Sequence, residues 1–365
     1  MLLSEFQNLV SAKRNCILDF CNKNSNKSLV LMPAGVQSQG LMEYLEYHGI
    51  NIAFFVDNDS AKQGVTVNGK EVFSFEQFIS EKEDKVAIIT SNPYAVNEIS
   101  HQCHENNFYE YMTSTIGFHF YFPDEIDNSI ALIEKNFNKY VEAYSLFNDD
   151  LSKKTFKNKL KYFVTHDSSY LTQVVRPKEY QYFEPDIYNV TENDCFIDCG
   201  AFTGDTLETC LALTNGKIAA YYAFEPDSAN YAQLSLKADK SIQTFNAGVF
   251  SKNTTLRFAN TSNAISKVSD SGASIIEVLS IDAVLKGEKA TFLKMDIEGS
   301  EIDALIGAKK TIKMYKPILA ISVYHKFDDM FEIPELIQNM NVDYKYFLRH
   351  YMEDYADTIL YAVAK

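Results

Sequence analysis

The second half of the chain alternates short apolar segments with stretches long enough to form helices. Seven segments after residue 194 are suited to strands, namely CFIDC, AAYYAFE, IQTFNAG, TFLKMD, ILAISVY, YKYFLRH and TILYAVA. Such alternation is typical of a parallel sheet covered by helices on both faces. The link between the last two segments is too short for a helix, so we expect them to form an antiparallel hairpin. The pattern predicts an α/β fold with a seven-stranded doubly wound sheet over residues 191–365.

A second, smaller α/β domain is predicted in residues 1–115. A chain of 365 residues exceeds what one hydrophobic core usually organises. The strand-like segments SLVLM and INIAFFVD flank a helical segment, and the hairpin-like VTVNGKEV, turning at Asn68-Gly69, comes next. KVAIITS and FYEYMT complete a Rossmann-like domain. Residues 116–190 have helical periodicity and are predicted to form a helical connector.

The first glycine-containing loop, PAGVQSQG, follows the first strand of the smaller domain. It contains Gly35 and Gly40 but lacks the GxGxxG pattern, and Asp57 ends the next strand. A dinucleotide site needs that glycine pattern for close approach of the backbone to pyrophosphate. We therefore favour a structural turn over a nucleotide site here.

The second glycine loop, FIDCGAFTGD, begins the larger domain. Its strand ends at Asp198 and turns through Gly200 and Gly204, and the next strand ends at Glu225. The two strands therefore bring one carboxylate each to the same sheet edge, beside a turn where the backbone can approach a ligand. Asp198 could instead be a hydrogen-bonding loop residue.

Because no pyrophosphate cradle is present, a nucleoside without phosphates suits this edge best. S-adenosylmethionine fits: Glu225 can accept hydrogen bonds from both ribose hydroxyls, and acidic surroundings suit a sulfonium and an ammonium. The third strand ends in Asn246 and Ala247, which we expect near the adenine. The predicted cofactor-binding residues are Asp198, Gly200, Ala201, Phe202, Gly204, Glu225, Pro226, Asn246 and Ala247.

The fourth strand ends in a dense acidic stretch, FLKMDIEGSE. It places Asp296, Glu298 and Glu301 just after a buried apolar segment, and the fifth strand ends near Tyr324 and His325. A solvated loop that caps the next helix would explain the acids alone. Polar groups at five consecutive strand ends favour an active-site edge instead.

Charge and cysteine content limit the partners. The chain has 34 basic and 49 acidic residues, a formal net charge of −15, which argues against a nucleic-acid partner. Its six cysteines form no CxxC pair, which predicts reduced thiols in a cytoplasmic protein. No apolar run approaches the length of a membrane span.

Residues 194–364 resemble the FkbM-type, class I S-adenosylmethionine-dependent methyltransferases. The resemblance lies in FIDCGAFTGDT, YYAFEPD, FNAGVFS, FLKMDIEGSEIDALIGAKKTI, KPILAISVYHKFDDMFEIP and YKYFLRHYMEDYADTILYAV. It implies methyl transfer from S-adenosylmethionine to a hydroxyl of a sugar, a surface glycan or a secondary metabolite. The implied acceptor is thus a small molecule or a glycan.

Methyl transfer to a hydroxyl requires loss of the hydroxyl proton. We expect His325 or Asp296 to serve as the base, since both lie at neighbouring strand ends; His325 could instead orient a loop. A hard divalent cation held by Asp296 and Glu298 is a less favoured alternative. A non-catalytic binding or scaffold protein and a nicotinamide-dependent oxidoreductase are the other interpretations left open.

Overall fold

A computed structural model describes residues 15–91, 93–117, 123–259, 267–268 and 274–365. The chain divides into two compact units. The first comprises the chain as far as Phe137, with Lys154–Val175 and Met352–Ala356, and the second comprises Asn138–Lys153, Arg176–Tyr351 and Asp357–Lys365. The first unit contains a six-stranded sheet, and the second contains a seven-stranded and a four-stranded sheet. Among the described residues, no helix has the length and apolar character needed to cross a bilayer.

The first unit is built on a six-stranded sheet with strand order β3-β4-β2-β1-β5-β6. The strands are β1 (Ser28–Met32), β2 (Phe54–Val56), β3 (Thr66–Val67), β4 (Lys70–Phe73), β5 (Lys85–Thr90) and β6 (Tyr111–Ser114). Only β3 pairs antiparallel, in the hairpin that turns at Asn68 and Gly69. The helices that begin before Phe137 are α1 (Cys16–Lys23), α2 (Val36–Tyr47), α3 (Phe75–Ser80), α4 (Pro93–Glu105) and α5 (Pro123–Lys135).

The loop between β1 and α2 is held by a hydrogen bond to Asp57, at the end of the neighbouring strand. Asp57, which follows β2, accepts hydrogen bonds from the backbone N–H groups of Ala34 and Asp59 and from Lys62. Its carboxylate is 5% exposed. A buried carboxylate with three such donors is a structural anchor, so the structure favours the structural turn at this loop.

Helices α6 (Phe137–Leu146), α7 (Asp150–Thr165) and α8 (Ser169–Thr172) follow, and then a 3₁₀ turn at Lys178–Tyr180. The periodicity of residues 125–165 arises because each helix has buried apolar side chains: Ile126 and Ile133 in α5, Tyr140 in α6, and Phe156 and Phe163 in α7. Each of these five side chains is buried.

The second unit contains a seven-stranded sheet with strand order β16-β17-β15-β14-β7-β8-β9. These strands are β7 (Cys195–Cys199), β8 (Ala220–Phe224), β9 (Ile242–Phe245), β14 (Phe292–Met295), β15 (Ile318–Ser322), β16 (Tyr344–His350) and β17 (Thr358–Ala364). Strand β17 pairs antiparallel with both neighbours, and the other pairs are parallel. Both predicted α/β sheets and the antiparallel hairpin are confirmed.

Helices connect these strands and leave their carboxyl ends free. They are α9 (Asp205–Leu213), α10 (Ser228–Leu234), α11 (Ile281–Leu285), α12 (Glu301–Gly307), α13 (Lys309–Tyr315) and α14 (Asp329–Gln338). Aromatic side chains fill the layer beneath the sheet, where the rings of Phe196 and Phe292 stack with centroids 4.5 Å apart. A sheet buried on both faces in this way holds its strand ends rigidly at one edge.

A four-stranded sheet is inserted between β9 and β14. It has strand order β10-β13-β11-β12, from β10 (Gly248–Val249), β11 (Thr254–Ala259), β12 (Lys267–Val268) and β13 (Ser274–Leu279). Most of the Ser/Thr/Asn-rich stretch between β11 and β13 lies outside the described residues. The described strands bring Leu256, Ile276 and Val278 to the edge where the main strands end.

Candidate cofactor and acceptor site

A cleft of about 340 Å³ lies at the carboxyl ends of β7, β8, β14 and β15. This volume falls within the usual range for small-molecule sites. One group of lining residues follows β7 and β8 or lies in the inserted sheet. It includes Gly200, Phe202, Asp205, Glu225, Pro226, Asp227, Val249, Phe250, Leu256, Ile276 and Val278. A second group of lining residues includes Lys178, Gln181, Tyr182, Lys294, Asp296, Glu298, Tyr324 and Asp357.

Gly200 makes the turn after β7 possible. Its φ is +78°, and a Cβ atom there would lie 1.9 Å from the carbonyl oxygen of Asp296. Any side chain would therefore force the ends of β7 and β14 apart. The close approach at Gly200 is to the end of the neighbouring strand β14. The expected approach of this backbone to a ligand stays a prediction.

Asp198 lies beneath the cleft. Its carboxylate is fully buried, accepts a hydrogen bond of 2.7 Å from the Tyr221 hydroxyl and lies 2.9 Å from the Lys294 ammonium. Burial raises the pKa of Asp198, opposed by the charge of Lys294. In this position Asp198 supports the glycine turn and does not line the cleft.

Lys294 links the buried Asp198 to the wall of the cleft. Its ammonium donates a 2.6 Å hydrogen bond to the Gly200 carbonyl. Burial disfavours its charge, but Asp198 and Asp296 outweigh burial and raise the pKa of Lys294. Lys294 is therefore a buried cation that ties β14 to the turn after β7.

Glu225 lines the cleft directly. One carboxylate oxygen accepts the N–H of Phe202 and the other the N–H of Asp227, each at 2.9 Å. Burial raises the pKa of Glu225 to about 7, against the effect of these hydrogen bonds. A carboxylate has about four lone-pair positions, so Glu225 retains acceptor capacity toward the cleft.

The other predicted cofactor residues divide into two groups. Phe202 and Pro226 line the cleft, whereas Ala201, Gly204, Asn246 and Ala247 are not among its lining residues. The Asn246 amide donates to the carbonyls of Glu225 and Pro226, at 3.0 and 3.2 Å. It therefore fixes the loop that carries Glu225.

Asp296 is held by two phenols. The hydroxyl of Tyr182 donates to one carboxylate oxygen at 2.8 Å and that of Tyr324 to the other at 3.1 Å. Burial favours the neutral acid, but His325, Lys294 and the two phenols lower the pKa of Asp296 overall. Asp296 is thus an oriented, ionised carboxylate in the cleft wall.

His325 lies behind Asp296, only 4% exposed, and is not among the cleft-lining residues. Its Nδ1 lies 3.0 Å from Glu301, and its Nε2 lies 3.4 Å from Asp296 and 3.5 Å from Glu298. Burial would lower the pKa of His325, but these carboxylates outweigh burial and raise it to about 10. His325 is therefore a buried cation at neutral pH.

Glu298 shapes the turn after β14, with φ of +55° followed by Gly299 at +93°. Its side chain is about a fifth exposed and lines the cleft. Burial, together with Asp296, Glu301 and Asp357, raises the pKa of Glu298 to about 7, although His325 opposes this shift. The two acids after β14 therefore differ in proton affinity, because the pKa of Asp296 is lowered and the pKa of Glu298 is raised.

The donor set after β14 and β15 can be tested for a metal. Ligand atoms of Asp296, Glu301 and His325 lie within 4.8 Å of one another. Both nitrogens of His325 face carboxylates at ion-pair distances, and Glu301 also accepts the N–H of Ile297 at 3.0 Å. His325 is the cation shared by these carboxylates, which is the geometry of an ion-pair cluster, and we assign no metal ligand here.

Sequence reasoning did not predict the contacts of three residues of the site. Lys294 carried a signal, because a lysine inside the apolar segment TFLKM needs a buried partner. Tyr182 carried none, since its segment precedes the domain and its partner Asp296 is 114 residues away. Sequence reasoning placed Glu301 among the acids after the fourth strand and predicted no contact with His325. Glu301 opens α12, but its side chain also turns back to His325.

The cleft has the chemistry that S-adenosylmethionine requires. Glu225 offers acceptors for ribose hydroxyls, and Pro226, Val249, Phe250 and Val278 form an apolar wall suited to a planar base. Asp205, Asp227 and Asp296 provide negative charge for a sulfonium and an ammonium. The residues present therefore fit this cofactor.

The strand order, with β17 inserted antiparallel beside β15, and a cleft at the carboxyl ends of the central strands define a methyltransferase-type α/β domain. Residues 198–353 match the family model of the methyltransferase FkbM domain. This match confirms the resemblance to FkbM-type methyltransferases that the sequence motifs predicted for this part of the chain.

The structure is similar to the crystal structure of methyltransferase FkbM from Methylobacillus flagellatus KT. The two chains are 22% identical, 99% of each is covered, and the TM-score is 0.74. This likeness extends the shared fold over both units.

The structure also matches a fibrillarin from Aeropyrum pernix with natively bound S-adenosyl-L-methionine. The identity is 12% and the TM-score 0.32, with 48% of this chain and 69% of that chain covered, a similarity too low to carry an argument. A comparison with curated proteins gave no match.

Proposed function

We propose that the protein transfers a methyl group from S-adenosylmethionine to a hydroxyl of a sugar, a surface glycan or a secondary metabolite. The observation that carries this proposal is the cleft itself. One wall presents Glu225 and apolar side chains, and the facing wall presents two carboxylates whose pKa values are shifted in opposite directions. The family match favours methyl transfer over the oxidoreductase alternative.

In this proposal the wall around Glu225 binds the cofactor. Glu225 would accept hydrogen bonds from the ribose hydroxyls, the turn at Gly200 and Phe202 would hold the amino-acid end, and Pro226 and Val249 would hold the adenine. When bound, the cofactor supplies an electrophilic methyl group: the acceptor oxygen bonds to the methyl carbon while the carbon–sulfur bond breaks, which leaves a neutral thioether. Asp198, Ala201, Gly204, Asn246 and Ala247 support these residues from behind.

The facing wall positions the acceptor and removes its proton. Asp296, fixed by Tyr182 and Tyr324, accepts a hydrogen bond from the acceptor hydroxyl and orients it. Glu298 takes the proton, because a group whose pKa is near 7 suits proton transfer near neutral pH. His325 is already protonated, so its role is to hold Asp296, Glu298 and Glu301 in place. This proposal moves the base from the predicted pair, His325 and Asp296, to Glu298.

The test combines binding with turnover. Calorimetry of the native protein with S-adenosylmethionine should show binding, and incubation with labelled cofactor and cell extract should yield a methylated hydroxyl compound by mass spectrometry. Glu298→Gln should lower kcat about a hundredfold with little change in cofactor affinity. Methylation at nitrogen or carbon would contradict the assignment of O-methyl transfer. Absence of cofactor binding would contradict the assignment of the protein as a methyltransferase.

A further inference from the structure

The cleft carries a marked excess of negative charge. Of the described lining residues, six are carboxylates and two are cationic. The carboxylates are Asp205, Glu225, Asp227, Asp296, Glu298 and Asp357, and the cations are Lys178 and Lys294. Even with both glutamates protonated, the four aspartates exceed the two lysines. The single net positive charge of bound S-adenosylmethionine reduces the excess and does not reverse it.

Both lysines are already engaged by the protein. Lys294 is buried and contacts Asp198 and the Gly200 carbonyl. Lys178 forms an ion pair with Asp357, and both residues line the acceptor side of the cleft. Sites that bind phosphate or carboxylate ligands present arginine, lysine or clustered backbone N–H groups directed at the anion. The acceptor side of this cleft presents carboxylates and phenols, and both of its lysines are paired with carboxylates of the protein.

Glu298, whose Oε2 accepts no hydrogen bond from the described residues, shows how the cleft affects an anion that lacks the donors and cations that keep Asp296 ionised. Glu298 faces the acceptor side, and burial with three neighbouring carboxylates makes its ionised form less favourable than in water. A phosphate or carboxylate on the acceptor would meet the same desolvation and the same negative neighbours. A neutral polyol would meet neither penalty, and attraction to the carboxylates would offset the desolvation of a cationic one. Either could donate hydrogen bonds from its hydroxyls to Asp296.

We propose that the acceptor reacts as a neutral or cationic polyol, free of phosphate and carboxylate at the reacting end, so that methylation follows glycosyl transfer. Activated sugars carry a nucleoside diphosphate, and glycosyl transfer is the class of reaction that removes it. The acceptor would then be a sugar already joined to its glycan or aglycone. This inference rests on the proposed O-methyl transfer and narrows its substrate class.

The experiment uses the full-length protein with methyl-labelled S-adenosylmethionine and an extract of cells that carry the gene. The products are separated on an anion exchanger and identified by tandem mass spectrometry. We expect at least about tenfold more label on neutral or cationic sugar residues than on anionic ones, as a repulsion of one or two charges at close range would produce. Label mainly on a nucleoside-diphosphate sugar, or on a sugar residue that itself carries a carboxylate or phosphate, would overturn the inference.

Charge variants provide a second arm. Asp357→Asn removes one cleft carboxylate and releases Lys178, so the share of label on anionic acceptors should rise about threefold or more. Asp343→Asn is the matched control, because Asp343 is exposed and pairs with Lys365 away from the cleft lining. An equal rise in both variants, or in neither, would contradict a role for cleft charge.

The outcomes separate the two proposals. Label on anionic acceptors refutes the inference and leaves O-methyl transfer intact. Cofactor binding without label on any hydroxyl compound refutes the proposed function, and the inference fails with it.

Discussion

The ammonium of Lys294 lies 2.9 Å from Oδ1 of Asp198, with both side chains almost completely buried. A third group, the hydroxyl of Tyr221, donates to the other oxygen of Asp198. The pair lies directly under the turn that carries Gly200. It therefore couples the stability of the sheet to the shape of the cleft.

Removing one member of this pair should be costly. Lys294→Met leaves the Asp198 carboxylate buried without its cation, and we expect a loss of about 3–5 kcal/mol in unfolding free energy. Chemical denaturation followed by circular dichroism measures this loss. The Asp198→Asn/Lys294→Met double variant should be more stable than Lys294→Met alone. Equal stability of the two variants would show that the pairing is not the cause.

The two glycines with φ of +78°, Gly200 and Gly216, allow a matched comparison. A Cβ at Gly200 would lie 1.9 Å from the carbonyl oxygen of Asp296, whereas nothing lies within 4 Å of one at Gly216. Gly216→Ala should cost about 1–2 kcal/mol from backbone strain alone. Gly200→Ala should cost several kcal/mol more and weaken cofactor binding at least about tenfold. Similar losses of stability for Gly200→Ala and Gly216→Ala, measured by thermal unfolding, would contradict the close approach at Gly200.

His325 should stabilise the fold in a pH-dependent manner. Its pKa is raised in the folded protein to about 10. The stabilisation from its positive charge is therefore fully present below pH 6.5, its unfolded pKa, and is lost as pH rises toward 10. Wild type should exceed His325→Asn in unfolding free energy by on the order of 3 kcal/mol at pH 6, and by less at pH 10. A difference that does not vary with pH would mean that His325 contributes by packing alone.

Glu225 should make cofactor binding depend on pH. Burial raises its pKa to about 7, and the ionised form is the better acceptor for ribose hydroxyls. Affinity for S-adenosylmethionine, measured by calorimetry, should fall as pH decreases from 8 to 6. Glu225→Gln should bind about tenfold more weakly and lose this dependence. Glu208→Gln, at an exposed position on α9, is the control that should retain both properties.

In the first unit, His166 should make the fold sensitive to acid. Burial lowers its pKa to about 4, and neither ring nitrogen has a hydrogen-bond partner among the described residues. Because the unfolded histidine takes up a proton at about pH 6.5, stability should fall by up to about 3 kcal/mol between pH 6.5 and 4. His166→Asn suits the backbone, whose φ is +57°, and should remove that part of the acid sensitivity. Hydrogen exchange of this unit at pH 4.5 and 7 would measure the change.

Much of the cleft could be predicted from local patterns. The apolar segments fixed where the strands lie, and their ends placed Gly200, Glu225 and Asp296 at one edge, because parallel strands bring their carboxyl ends together. These features depend on residues close together in the chain.

The sequence by itself determined the two α/β sheets, the glycine turn and the acidic strand ends, because strand period and turn chemistry are local properties. Only the tertiary structure decided which charges meet. It pairs Asp198 with Lys294, encloses His325 among three carboxylates, and brings Tyr182 to Asp296. A buried charge requires a partner of opposite sign or a hydrogen-bond donor, but residues far apart in the chain can supply it. The physical reason is that desolvation and Coulomb energy depend on spatial neighbours, and these are set by strand order and helix packing.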